Sequence, residues 1–336
     1  MNGPIYRFDP NAEPDSAFVP GELRHLVAGN EGRLLDARRT PIRITAVAAW
    51  KAAFELEILA FEDVGARWEL PLEDIGRFQF RADARLTPAE VVDELERAVA
   101  RTSEVVSIEC DGADRQRTLT RVDAEQASVR DWLNRRGATV AVDVQTLIDR
   151  RRGDEGLSQL AQQYLDERGL AELDRRFAQT FVSNPQSGEL VKGHAIVLAE
   201  LGLCPYRGKA VRDPSIFDEP WSKRSRAEHL IVRLALTHEL CAQAALDQRT
   251  VTLYRGAATD GPLPERCPSS FVSATFSRAV AEAHFEGGAD TQTAVLWRQD
   301  VPIARLLMTF LETRAMNARF AEAEAVLIAD PDNRAF

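Results

Sequence analysis

Apolar and polar positions change rhythm along this chain, and each change predicts a different kind of element. Over roughly the first 120 residues the pattern is mixed α and β. "FELEIL" alternates cleanly, with Phe54, Leu56 and Ile58 on one side and Glu55 and Glu57 on the other, as a half-buried strand does. "RWELPLEDIGRFQF", from Arg67 to Phe80, continues in short apolar pieces divided by turn residues. "LTPAEVVDELERAVART" predicts a helix with Thr87 as its N-cap, Pro88 in the first turn and Glu90 completing a capping box. Val91, Val92, Leu95 and Val99 form its apolar stripe. "VVSIEC" and "TVAVDV" read as strands on either side of a helical stretch, "EQASVRDWLNRRG", that closes at Gly137.

Charge and glycine cluster in "IDRRRGDEGLS", and this shift predicts a domain boundary between Ile148 and Ser158. Residues 157–248 are mostly helical in pattern. Their longest helical run is "SKRSRAEHLIVRLALTHELCAQAALDQ", with Leu230, Leu234, Cys241 and Ala245 near one face. Past Gln248 the texture becomes short strands: "TVTLYRG", "SFVSATF", "TAVLWRQ", "PIARLLMTF" and "EAEAVLI". The expected fold class is α+β. A mixed domain over residues 1–150 precedes a second domain over 151–336, built from a helical lobe (157–248) and a β core (249–336).

Composition narrows the function classes. At 336 residues, 45% apolar and 28% charged, the chain is that of a globular protein with room for two domains. The net charge of −10 argues against a general nucleic-acid binder. The arginine-dense "GRLLDARRTPIR" reads as a solvated, salt-bridged edge. No run is long enough for a transmembrane helix. The opening "MNGPIYRFDPNAEPDS" lacks the regions of a secretory signal, which suits a cytoplasmic protein or one translocated into a target cell without a cleavable signal. Four scattered cysteines and five scattered histidines show no metal-ligand spacing, so no metal is expected.

The chemistry-bearing residues lie in the last third. "FAEAEAVLI" carries Glu322 and Glu324 into an apolar run. On a strand these two share a face, roughly 6–7 Å apart. Like charges at a core edge need something polar opposite; the pair alone also suits a solvated face. "LYRG" ends a strand with Arg255, and "SFVSATFSRAVAEAHF" starts as a strand with Ser273 and turns into a helix at Ser277.

In this order the three segments resemble the arginine–serine–glutamate class of mono-ADP-ribosyltransferases, known among bacterial toxins and effectors and vertebrate ectoenzymes. There, a strand-borne arginine is followed by a Ser-Thr-Ser strand and a Glu-x-Glu strand. The resemblance covers about residues 157–336 and implies a helical lobe followed by two packed β-sheets, with NAD as co-substrate and a protein as acceptor.

Residue by residue, the resemblance implies that Glu324 is the catalytic glutamate and Glu322 the acceptor-side glutamate, which in the family goes with an arginine acceptor. Arg255 would bind the NAD phosphates, with the backbone of Gly256 near the nicotinamide amide. Ser273 would orient Glu324 and the ribose. The tripeptide here is Ser273-Ala274-Thr275, so the family pattern is altered at two positions and the role of Thr275 is open. Phe276 and Phe285 offer rings either to the nicotinamide or to the core. Residues 311–320 occupy the family's target-recognition loop, with Arg314 and Arg319 inside it and Phe310 and Phe320 at its margins. His238 and His284 read as helix residues without catalytic duties.

The physics of these residue types agrees with that chemistry. An arginine offers a bidentate fork to a diphosphate. A carboxylate beside the ribose stabilises an oxocarbenium-like centre, and a second one can orient and deprotonate the nucleophile. The leading expectation is an NAD-dependent protein (arginine) ADP-ribosyltransferase. An NAD glycohydrolase, or a catalytically silent interaction module on the same fold, are the alternatives. The first domain shows no catalytic constellation and is expected to dock a target or regulate.

Overall fold

The computed structural model describes residues 17–61, 63–103, 105–138, 142–183, 188–211, 214–244, 250–259, 261, 270–285, 291–317 and 321–330. The chain forms two compact units. The first runs up to Val105 and takes in Lys209–Pro214; the second holds Val106–Gly208 and Ser215 onward. The division therefore falls well before the boundary expected near residue 150.

In the first unit, β1 (Phe18–Pro20), β2 (Glu31–Leu34), β3 (Pro41–Ala48), β4 (Ala53–Ile58), β5 (Arg67–Pro71) and β6 (Phe78–Arg81) form one sheet in the order β1-β6-β2-β3-β4-β5. Its strand pairs are antiparallel, and the expected alternation of β4 is observed: Phe54, Leu56 and Ile58 are buried. Opposite them on β3, Ile44 faces Leu56, Ile42 faces Ile58 and Val47 faces Phe54, so one face of the hairpin is wholly apolar. Phe54 meets Phe78 edge-to-face at 5.8 Å. Helix α1 (Ala89–Ser103) covers this core with Leu95 and Ala98. Its expected cap is not made. The Thr87 hydroxyl is buried without a hydrogen-bond partner, and the first helical N–H groups, of Val91 and Val92, bond instead to the Pro88 carbonyl.

The second unit opens within β7 (Val105–Ile108), from Val106, and continues with α2 (Gly112–Arg135), whose N-cap Asp111 accepts from Ala113 N–H at 2.7 Å. The expected strand "TVAVDV" is not a strand where it is described. Thr139–Ala141 lie outside the described residues, while Asp143 caps α3 (Val144–Arg150) through its side chain. Next come α4 (Glu155–Glu167), α5 (Ala171–Ser183), α6 (Glu189–Glu200), β8 (Tyr206–Lys209), which pairs with β7, and α7 (Lys223–Gln243). α2 packs along α7, which is why residues from Val106 onward belong with the second unit. α7 is buried on nearly every side, so its sequence lacks the single apolar stripe of a surface helix.

The remaining elements are β9 (Thr250–Thr259), β10 (Phe271–Thr275), α8 (Arg278–Phe285), β11 (Thr293–Pro302), β12 (Leu306–Thr309), α9 (Arg314–Asn317) and β13 (Glu324–Ile328). Where two packed sheets were expected, their hydrogen bonds define one five-stranded antiparallel sheet, β11-β9-β10-β13-β12.

A buried polar chain ties the helices to this sheet. Arg226 Nη1 donates to His194 Nδ1 at 2.8 Å, His194 Nε2 lies 3.2 Å from His229 Nδ1, and His229 Nε2 lies 3.0 Å from Asp174 Oδ1. His194 Nδ1 also lies 3.0 Å from the Leu190 carbonyl, to which Arg226 Nη1 donates at 3.1 Å, so the chain reaches the backbone of α6 as well. Arg233, fully buried, bridges Asp174 at 3.3 Å and Glu312 at 2.7 Å. Glu312 in turn accepts from the Thr309 backbone at 2.7 Å and from the Thr309 hydroxyl. The turn after β12 is thereby locked.

Candidate active site

β9 and β10 pair at a single position, Thr275 opposite Tyr254. On its other side β9 pairs with β11 from Thr250 to Thr259, and β10 pairs with β13 from Phe271 to Thr275. The sheet is thus two ribbons joined by one rung. A cleft of about 180 Å³ lies there, lined by Tyr254, Arg255 and Gly256 of β9, Ser273, Ala274 and Thr275 of β10, Val280, Ala281 and His284 of α8, and Glu322 with Glu324. Arg255, Gly256, Ser273, Thr275, Glu322 and Glu324, chosen from sequence alone, therefore meet in one place.

Glu324 opens β13 opposite Thr275, which puts Ser273 on the diagonal of the same face. The Ser273 hydroxyl donates to Glu324 Oε1 at 2.5 Å, and the Glu324 carbonyl accepts from Phe310 N–H at 2.8 Å. Burial pushes the Glu324 carboxyl up to about 7, with a further push from the Glu322 charge; the Ser273 hydrogen bond and His284 work against that rise.

Glu322 is placed differently from the expectation. β13 begins only at Glu324, and Ala323 sits in the left-handed region at φ 48°, so the two acids are not consecutive same-face residues of a flat strand. The kink is held by β10. The Thr275 hydroxyl donates to the Glu322 carbonyl at 2.6 Å, and Phe276 N–H donates to the Ala323 carbonyl at 3.0 Å. Thr275 also accepts from Ser277 N–H at 3.0 Å, which ties the start of α8 to the same point. The kink still directs both carboxylates to the cleft, one buried and one half-exposed.

His284 was passed over in the sequence and is part of the lining. Its Nε2 lies 3.5 Å from Glu322 Oε1, and that carboxylate, with its hydrogen bond first and its charge second to burial, holds the imidazole above its ordinary value. The spacing of Val280, Ala281 and His284 places all three on the helix face that turns to the cleft, a signal the sequence did contain.

Other expected residues fall elsewhere. Phe276 is buried and packs against Phe310, ring centroids 5.6 Å apart, because it follows the rung into the core; it does not line the cleft. The side chain of Phe285 lies outside the described residues. Of the expected recognition segment 311–320, Leu311, Glu312, Thr313 and Met316 are interior, since Glu312 is drawn in by Arg233. Arg314 is exposed and pairs with Glu155, while Arg319 and Phe320 lie outside the described residues. His238 is a half-buried helix residue whose imidazole is driven down to about 4 by desolvation.

A larger cavity of about 470 Å³ lies between α4, α5 and residues 312–315, lined by Gln159, Gln162, Gln163 and Gln179 among others. Its acids Asp174 and Glu312 are already committed to Arg233, which leaves no carboxylate there poised for chemistry. Among the described residues no group of three or more His, Cys, Asp or Glu side chains is arranged to hold a metal ion, and no helix is long and apolar enough to cross a membrane. Comparison of the chain with protein-family models, with curated proteins and with solved structures returns no match.

Proposed function

We propose that the cleft between β9 and β10 cleaves NAD at the nicotinamide–ribose bond and transfers ADP-ribose to a protein acceptor, most readily an arginine side chain. The observation that supports this reading best is the convergence of Arg255, Ser273, Glu322 and Glu324 on one cleft from three separate chain segments. At about 180 Å³ the cleft is smaller than a pocket for a whole drug-sized ligand, so it takes the nicotinamide riboside end and leaves the rest of the dinucleotide across Arg255.

The C1′–N1 bond breaks, its electron pair leaves on nicotinamide, and the ribose becomes oxocarbenium-like. Glu324, ionised and held by Ser273, faces that positive centre; in a buried site its charge counts for more than in water. An acceptor nitrogen then bonds to C1′ while Glu322 takes its proton and passes it to solvent. Arg255 serves the diphosphate. The first unit, which carries no such constellation, is assigned to docking or regulation.

The test is incubation with NAD, with and without a cell lysate, followed by mass spectrometry. Nicotinamide release with ADP-ribose adducts on arginine supports transfer. Free ADP-ribose alone points to hydrolysis. An intact NAD pool, together with no NAD binding in calorimetry, overturns the reading and leaves a silent module.

A further inference from the structure

Glu322 is the more exposed acid of the cleft, yet it is not left open to solvent: the α8 imidazole already stands 3.5 Å from it. We infer that His284 is a specificity-determining residue that holds the acceptor's place, its imidazolium pairing with Glu322 where a cationic acceptor must pair. The inference rests on the transfer reading above.

The surroundings favour a cation there. Glu322 and Glu324 are the acids whose charge His284 feels. On its own helix, Arg278 and Glu282 neutralise each other at 2.7 Å. From β10 only the hydroxyls of Ser273 and Thr275 face the cleft, and from β9 it is Tyr254 and Arg255. On β11, Arg298 and Asp300 pair with one another at 3.8 Å. The balance holds the imidazole protonated to higher pH than usual.

One half-exposed carboxylate cannot serve two cations at once without repulsion between them. While His284 is charged, a guanidinium is therefore disfavoured at Glu322. When His284 gives its proton to solvent, Glu322 is released to orient the acceptor. Water, being neutral, meets no such barrier, so the gate acts on transfer and not on hydrolysis. Acid conditions tilt the product ratio toward free ADP-ribose.

The experiment compares wild type, His284→Gln and His284→Lys with NAD and agmatine, a small free guanidinium, across neutral and mildly acid pH. The readout is ADP-ribosyl-agmatine against free ADP-ribose. His284→Gln is expected to raise that ratio roughly two- to fivefold at the acid end, the range of a partly exposed ion pair, and to match wild type at the alkaline end. His284→Lys, charged throughout, is expected to lower the ratio at every pH. Equal losses in both variants, or no change in either, overturn the inference.

A second arm needs no turnover. The His284 imidazole is titrated by proton NMR in wild type and in Glu322→Gln. Its pKa should fall toward the ordinary histidine value in the variant, and an unchanged value overturns the pairing whatever the enzyme does. A wild type that cleaves no NAD but shows the shifted imidazole overturns the reaction and leaves the pairing intact, so the two failures are told apart.

Discussion

The hydroxyl of Thr275 donates to the backbone carbonyl of Glu322 at 2.6 Å, across the gap between β10 and the kink that precedes β13. Through this bond a residue with no charge sets where an acid can point. The same oxygen accepts from Ser277 N–H, so the Glu322 kink and the start of α8, which carries His284, share one anchor.

Thr275→Val should disturb that anchor without altering any acid. The expected cost is about 1–3 kcal/mol, because a part-buried carbonyl and N–H lose their partner, and Thr275→Ser should restore most of it. Transfer should fall more than NAD hydrolysis, since Glu322 moves and Glu324 keeps Ser273. Chemical denaturation and the ratio of the two products measure this; equal loss of both products would show that Thr275 acts on the whole cleft.

Ser273→Ala removes the one hydrogen bond that favours the ionised Glu324. The carboxyl, already pushed to about 7 by burial, should rise further. The proposed reaction uses the carboxylate, so NAD cleavage in wild type should increase as pH rises through about 7, and the variant's rise should be displaced to higher pH. A rate–pH profile with an unmoved limb would remove Ser273 from this role.

Glu324→Gln should abolish NAD cleavage and yet stabilise the fold in mild alkali. The folded carboxyl is raised above its unfolded value of 4.5, so the native state binds the extra proton between these two values. Stability contributed by this group is present at low pH and is lost as pH rises toward about 7. Glutamine stays neutral throughout and accepts the Ser273 hydrogen bond in the same place. The gain above neutrality should be of the order of 1–3 kcal/mol, with none in acid, as read from denaturation midpoints at several pH values.

Glu312→Gln tests the buried chain that locks the turn after β12. It leaves the Arg233 guanidinium, wholly enclosed, with half of its countercharge. Removing one partner of a buried ion pair costs about 3–5 kcal/mol, and the loss should appear as a lowered melting temperature. Glu324 is bonded to Phe310, next to that turn, so NAD cleavage should drop as well.

Local pattern made a good part of this legible. The alternation in "FELEIL" gave β4, and the five strand segments of the last third all formed. Ser273 and Glu324 were singled out by the order of a family's motifs, and the strands that carry them are neighbours in the sheet. What escaped were features that depend on several segments at once. The cap at Asp143 hid behind the β-branched run "TVAVDV", which suggested a strand, and of the long helix α2 only the C-terminal half was legible. The boundary near residue 150 looked real because charge clusters there, but packing of α2 on α7 decides membership. The rung between Thr275 and Tyr254 is a relationship between strands, which no single stretch encodes. His284 was discounted because a lone helical histidine is ordinarily silent, and only the position of Glu322 changes that.

Ala323 is buried as well as left-handed. That methyl costs about 1 kcal/mol in such a backbone, where glycine would sit without strain. A glycine, however, would have more conformations open to it, and the Thr275 and Phe276 hydrogen bonds alone would then hold the kink. The methyl of Ala323 therefore works together with the Thr275 and Phe276 hydrogen bonds in fixing the aim of Glu322, although the local backbone would be easier without it.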